Sequence, residues 1–339
     1  MAGSRRRQRD SALVAVYDYK VGYLVFRFSL KGLFSDESTS SLPQEVLPFP
    51  PSPVACFRRH PHCAGLMALV ASPKGNKIVV ATDSRRTIVY DTTKSEYSSG
   101  PDQRGAKPRP ILVAGQGRRR RDMFLMTTYP DFSESGPQFE ALRLQGGDHL
   151  RSLPVPPPPI GYDRRHLWGL GCQVSSYFAM GQRVWLSMKG EGTYSFDMAR
   201  REWRHEGSWV LPLEDRAVYV PELGLLLGFK RMLFFCAYNI TASPPVIRHQ
   251  WRWSELAPSK HQKLADGLDF ICPGLAYLGG GRFCVSWSTT KPRDDKMGRR
   301  LFALTAVEVS RSGGGKLQLC KRRSRCYLMS PDQTRGYVL

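Results

Sequence analysis

Lys77–Tyr97 and Arg183–Trp203 carry the same 21-residue pattern without a gap, and this duplication constrains the architecture more than any other feature of the chain. The first copy reads KIVVATDSRRTIVYDTTKSEY and the second RVWLSMKGEGTYSFDMARREW. Each runs from a basic residue through a short apolar strand and a turn. A second strand then ends aromatic–Asp, as Tyr90-Asp91 in one copy and Phe196-Asp197 in the other. A bulky aromatic, Tyr97 or Trp203, follows six residues after the Asp, and Thr87/Thr193 and Glu96/Glu202 also match. Between the copies, Phe139-Glu140 takes the aromatic–acid position, 49 residues after Asp91 and 57 before Asp197. The 106-residue offset is therefore two periods of about 50 residues, a length typical of arrays of small sheets. One such sheet cannot bury both of its faces, so neighbours must stack. An Asp at a strand end accepts hydrogen bonds from turn amides, which gives Asp91 and Asp197 a turn role. Tyr97 and Trp203 are expected to pack between repeats.

Helical periodicity is almost absent. One hairpin pattern recurs at Ala68–Thr82, Ser176–Met188, Ala217–Phe229 and Leu275–Trp287, where two apolar runs flank a short turn that usually contains Gly. Glycine reaches the positive φ that such turns require. Phe302–Val309 reads as a strand of the last unit, and Tyr238-Asn239 as a degenerate aromatic–acid pair. The predicted class is all-β: a β-propeller of about five or six four-stranded antiparallel blades, closed by N- and C-terminal strands. Ser11–Leu33 is the N-terminal candidate and Leu317–Met329 the C-terminal one. Closure removes exposed sheet edges that invite aggregation. A basic leader spans 1–10 and one domain spans 11–339, with loop inserts near 35–41, 98–122, 154–165 and 290–299. Pro156–Pro159 reads as a stiff connector.

The ordered motifs are NKIVV and RTIVYDT, then QFEALRL, TYSFDMARREWRHEGSWVLP, AVYVPELGLLLGF, VIRHQWRW, YLGGGRFCVSW and ALTAVEV. This series, from about Ser11 to the C-terminus, resembles a grass-enriched plant family of uncharacterised kelch-like proteins. That family is related to the propellers attached to F-box proteins. The resemblance implies a β-propeller and a plant source. It brings no established activity and no catalytic residue. Asn239 stands where the repeat expects Asp, and the N-terminus shows no F-box-like helical segment.

Charge is the other strong signal. Fifty Lys and Arg against 29 Asp and Glu leave a net charge of +21. Three runs concentrate it: Arg5, Arg6, Arg7 and Arg9; Arg118, Arg119, Arg120 and Arg121; and Lys321, Arg322, Arg323 and Arg325. Such runs attract polyanions or acidic proteins and also serve as nuclear import signals. The last run lies between the strand-like LQLC and CYLM, where a hairpin turn is expected. Cys56, His60, His62 and Cys63 are the densest set of soft metal ligands. They lack paired-cysteine spacing, and adjacent His62 and Cys63 on a strand would point apart, so no metal site is expected. The eight cysteines include no C-x-x-C pair and read as free thiols.

No nucleophile elbow or phosphate-binding loop is present. No cofactor and no catalytic residue are expected. The apolar runs fall short of a membrane span. Asp18 and Lys20 interrupt the run behind the first arginines, so secretion is not expected. The reading is a non-enzymatic, monomeric protein-interaction scaffold of the nucleus or cytoplasm, with an acidic partner favoured by charge. The alternatives are a basic nuclear protein that binds nucleic acid through phosphate contacts and an enzyme with a site at the propeller channel.

Overall fold

The four hairpins expected from the sequence are all present in the structure, a computed structural model. It describes residues 11–34, 46–59, 67–71, 76–107, 109–114, 122–130, 138–145, 149–159, 173–230, 234–256, 270–289 and 300–339. The hairpins are β5 (Met67–Ala71) with β6 (Lys77–Thr82), β13 (Gln173–Met180) with β14 (Arg183–Lys189), β17 (Glu214–Val220) with β18 (Leu225–Lys230), and β21 (Phe270–Gly279) with β22 (Arg282–Thr289). The last turn is Gly279–Gly281, all at positive φ. A Cβ on Gly281 would lie 2.2 Å from the Val309 carbonyl oxygen, so only glycine fits there. Among the described residues one four-residue helix, α1 (Trp253–Leu256), interrupts the strands.

The chain forms two compact units, each assembled from more than one segment: Met1–Phe57, Val220–Asn239 and Ile247–Leu339 in the first, Arg58–Tyr219 and Ile240–Val246 in the second. In the second unit β5 and β6 continue into β7 (Thr87–Asp91) and β8 (Glu96–Ser99). The next sheet holds β9 (Pro110–Ala114), β10 (Asp122–Thr127), β11 (Phe139–Gln145) and β12 (His149–Pro154). The third joins β13 and β14 to β15 (Gly192–Asp197) and β16 (Glu202–Gly207). In each, these four strands form an antiparallel meander, and β13 also pairs in parallel with β17, Ser176 opposite Asp215 and Tyr177 opposite Arg216. The stretch 98–122, expected as a loop, therefore holds all of β9 and the start of β10, because Ile111–Val113 supplies apolar side chains for both sheet faces.

Strand β10 shows why these sheets stack. Successive strand residues point to opposite faces. Met123 and Leu125 pack with Val70, Val79 and Val89 of the preceding sheet. Phe124 and Met126 pack with Val184, Leu186 and Phe196 of the following one. A strand buried on both faces reads as a continuous apolar run, which is the MFLM of this sequence.

In the first unit, β1 (Ser11–Asp18) and β2 (Gly22–Ser29) share a sheet with β4 (Ala55–Arg58) and β25 (Gln333–Val338). A second sheet contains β21, β22, β23 (Leu301–Arg311) and β24 (Leu317–Leu328), with β3 (Val46–Pro48) added in parallel to β24. Strand β18 continues into β19 (Phe234–Asn239) and β20 (Val246–Arg252). Among the described residues three of the sheets have four strands each, the number expected per blade. The class is all-β, with the four-stranded antiparallel blade of a β-propeller as its unit.

The first and last strands do pair, as expected, but the partner differs. Strand β1 joins β25, with Val14 opposite Val338 and Val16 opposite Gly336. Leu317–Met329 is occupied in β24, which already has β23 and β3 as neighbours. The other side of β25 is fixed by hydroxyls of β22: Gly336 donates its N–H to Ser288 Oγ and Val338 to Ser286 Oγ, each at 2.9 Å. Gly336 also lies where a Cβ would meet the Phe302 ring at 2.9 Å. Replacing Ser288 with Ala leaves a buried N–H without its acceptor and should cost about 1–3 kcal/mol. Gly336→Val should cost a similar amount through overpacking. Urea melts that match the wild type for both variants would show that this junction carries no stability.

Candidate functional site

Asp91 and Asp197 close β7 and β15 with the same local geometry. Asp91 Oδ1 accepts the Thr93 hydroxyl at 2.5 Å and the N–H groups of Thr93 and Lys94 at 2.8 and 3.1 Å. Asp197 Oδ1 accepts the N–H groups of Ala199 and Arg200 at 2.9 and 3.0 Å. Four residues after each Asp the chain turns left-handed, at Ser95 (φ 60°) and Arg201 (φ 63°). The Thr93 hydroxyl, then the backbone amides, hold the Asp91 carboxyl down at about 2. Burial opposes ionisation of Asp197, but the Arg200 and Ala199 amides and the Arg183 guanidinium outweigh it and lower its pKa. Both carboxylates are engaged by the turn that each initiates.

Strand register shifts the intermediate repeat away from Phe139-Glu140. Lys77 pairs with Asp91, Asp122 with Arg143 and Arg183 with Asp197. Arg143 is therefore the counterpart of the two Asp residues, and Glu140 corresponds to Ile88 and Tyr194. The middle repeat exists, but its charges are reversed, and the place of the acid is taken by Arg143, three residues after Glu140.

Tyr97 and Trp203 also separate. Tyr97 contacts Tyr90 of its own sheet at 4.7 Å and is 51% exposed, so it is not a buried packing residue. It lies in β8, whose residues are all exposed. Trp203 packs against Phe196 of its own sheet and against Phe124 and Phe139 of the preceding one, at 5.0–5.9 Å. Its indole N–H donates to the Pro156 carbonyl at 2.7 Å. The Arg201 guanidinium donates to the Pro154 carbonyl, so the chain after β12 is tied to the third sheet at two points.

The run Lys321, Arg322, Arg323 and Arg325 lies within strand β24. It is not a hairpin turn, since Ser312–Lys316 makes that turn with Gly315 at φ 75°. All four residues are half-buried. Arg322 donates to Glu308 Oε2 through Nε and Nη2 at 2.9 and 2.6 Å. Arg325 donates to the Ser29 and Lys31 carbonyls at 3.3 and 2.9 Å. Burial lowers the Lys321 ammonium pKa. Arg118, Arg119, Arg120 and Arg121 lie outside the described residues, as do the leader and the inserts at 35–41 and 290–299. His60, His62 and Cys63 lie outside them too. No group of three or more His, Cys, Asp or Glu that could hold a metal ion occurs among the described residues. Burial pushes the thiols of Cys236 up to about 11 and of Cys284 and Cys326 to about 12, which keeps them protonated.

Sequence reasoning missed a buried ion pair. Lys107 and Glu140 are in direct contact with both side chains fully buried. Glu140 also accepts the Arg104 N–H at 2.9 Å and the Ser152 hydroxyl at 2.5 Å, and Lys107 donates to the Gly105 carbonyl at 3.1 Å. Burial pulls the Lys107 ammonium pKa down, while Glu140 opposes that fall. Beside them Gln103 donates to the Thr82 and Arg86 carbonyls at 2.9 Å. This network pins the segment between β8 and β9 to two sheets. No local sequence signal marks the pair, since Lys107 lies in the polar stretch DQRGAKPR, 33 positions before Glu140.

Removing one member of this pair strands a buried charge, so Lys107→Met or Glu140→Gln alone should cost about 3–5 kcal/mol. The double variant should cost no more than the worse single one, as a denaturant double-mutant cycle will measure. Additive losses would show two independent sites. Asp91 gives a pH prediction. Its folded pKa lies below the unfolded value of 3.8, so its stabilisation is present above that value and disappears as pH falls towards about 2. Between those limits Asp91→Asn should lose less melting temperature than the wild type. Parallel Tm–pH curves would contradict this account.

The solved structures to which the chain is similar include the β-propeller domain of Cps50 (Swd1) from Myceliophteria thermophila. The identity is 10% and the TM-score 0.45, over 98% of this chain and 95% of that one. No curated protein matches the sequence. The model of a family described as protein of unknown function (DUF1668) matches residues 14–327. That match spans the sheets from β1 to β24, and the chain belongs to the DUF1668 family.

Proposed function

We propose that this protein is a non-enzymatic interaction scaffold that presents fixed cations and exposed aromatic and aliphatic side chains to an acidic protein partner. The observation that carries this reading is strand β24, where Lys321, Arg322, Arg323 and Arg325 stand half-exposed on a rigid sheet. Two of the guanidiniums are held by Glu308 and by the Ser29 and Lys31 carbonyls. Ordering these long side chains beforehand reduces the entropy lost when they meet a partner. Exposed apolar side chains elsewhere in the chain favour a protein partner over nucleic acid. Tyr97, Tyr129, Val246 and Ile247 are large apolar residues at 40–51% exposure. Arg109 lies over the Tyr129 ring at 5.4 Å and donates to its hydroxyl at 3.0 Å. Tyr and Arg are enriched at protein interfaces, where they concentrate binding energy.

The test uses the full chain with Lys321→Gln and Arg323→Gln, which leaves the pairs of Arg322 and Arg325 intact. Proximity labelling in cells should recover acidic proteins with the wild type and lose them with the variant. An unchanged set of neighbours would end the reading. Tight binding to DNA or RNA at about 50 mM salt, with a steep fall of log affinity against log salt, would move the conclusion to phosphate contacts.

A further inference from the structure

Between the second and third sheets of the second unit lies a cavity of about 60 Å³ that the chain itself does not fill. Its floor is Phe124, Val155 and Phe196, all buried. Ala141 forms one wall, small at a position where the neighbouring sheets place Val89 and Ser195. Half-buried Arg143 and exposed Arg201 are the charged groups of the lining, and Met123, Leu153 and Met198 make up the rest of it. Arg201 is held there by its own backbone, whose N–H donates to the Asp197 carbonyl at 2.7 Å, and by the bond of its guanidinium to the Pro154 carbonyl.

We propose that this cavity takes an aliphatic side chain from a partner protein segment in which an Asp or Glu adjoins the aliphatic residue. The proposal rests on the interaction-scaffold reading and names what one part of the scaffold recognises. Size limits the occupant. The cavity is well below the ~150 Å³ of an apolar cavity that binds benzene, so it suits a branched head of a few carbons, such as that of Leu or Val, better than an aromatic ring. Its apolar floor favours that group over water, as in other apolar cavities. Charge selects the flanking residue, because two guanidiniums border the site in a chain of net charge +21. Arg201 uses one donor on Pro154, and a guanidinium has five in a fork that matches a carboxylate. A buried apolar anchor ringed by polar contacts is also how binding energy concentrates at protein interfaces.

The probe is a fluorescein-labelled peptide, Glu-Asp-Leu-Asp-Glu, titrated with the full chain by anisotropy at about 150 mM salt. Saturable binding is expected, at least about tenfold tighter than for the same peptide with Ala in place of Leu, from the methyl and methylene groups buried. Ala141→Leu fills the cavity and should abolish binding while its thermal melt stays at or above that of the wild type. Ala141→Val repeats the comparison if the larger residue prevents folding. Arg201→Gln should weaken binding and flatten its salt dependence. Equal affinity for the Leu and Ala peptides, or full binding by a folded Ala141→Leu variant, overturns the proposal. Competition by a single-stranded oligonucleotide that ignores the Leu also overturns it, since phosphate contacts would then explain Arg201. Peptide affinity should be unchanged in the Lys321→Gln/Arg323→Gln variant. Loss there, with none in Ala141→Leu, sinks the cavity and leaves the scaffold reading standing. Selective peptide binding without β24-dependent partners in cells supports the cavity and sinks the role given to β24.

Discussion

The antiparallel pairing of β1 with β25 is the constraint on which the first unit depends. It joins Val14 to Val338, almost the full length of the chain, and so carries the largest loop-closure cost in the fold. Local propensity cannot hold such a contact. Ser286 and Ser288 hold it from the neighbouring sheet by accepting the N–H groups that β1 does not use, and Gly336 lets the Phe302 ring come close. The sheet so completed buries Val14, Val16, Phe26 and Phe28 against Phe302, Leu304 and Tyr327. Without β25 the outer edge of β1 would be an unpaired template for another chain.

The second unit relies on stacking of a different kind. Its middle sheet is apolar on both faces, with β10 feeding alternate side chains to the sheets before and after it. Two of the three sheets end their third strand in an Asp-initiated turn made from local hydrogen bonds. The middle sheet has Arg143 there and is instead secured by the buried contact of Lys107 with Glu140. That pair bridges segments 33 residues apart, and the Ser152 hydroxyl and Arg104 amide complete its hydrogen bonding. Satisfying every polar atom is what makes a buried charge pair tolerable.

The cations that dominate the composition are not equivalent once folded. Arg322 and Arg325 are tied to Glu308 and to backbone carbonyls, Arg201 to Pro154, and Arg335 donates to the Tyr23 hydroxyl at 3.0 Å. These four guanidiniums are therefore fixed in orientation on or beside the sheets. A guanidinium fixed in this way keeps its fork geometry, which matches a carboxylate held in a defined orientation.

The hairpins, their glycine turns and the Asp91 and Asp197 caps were legible because each is local: alternation, positive φ and amide capping act within about ten residues. Membership of β9 was not legible, since Ile111–Val113 is short and flanked by residues typical of loops. The middle repeat was found in roughly the right place but three residues out of register, because its acid had become Arg143 and a glutamate with another task stood nearby. Tyr97 and Trp203 occupy the same place in the repeat, yet one is exposed and the other packs on three phenylalanine rings. Sequence alone determined the all-β class, the blade as unit and the basic character, which follow from periodicity and counting. Only the tertiary structure decided which strand completes the first sheet, which cations are fixed and where a cavity remains. Those depend on what lies across the neighbouring sheet, and a linear pattern carries no record of that distance.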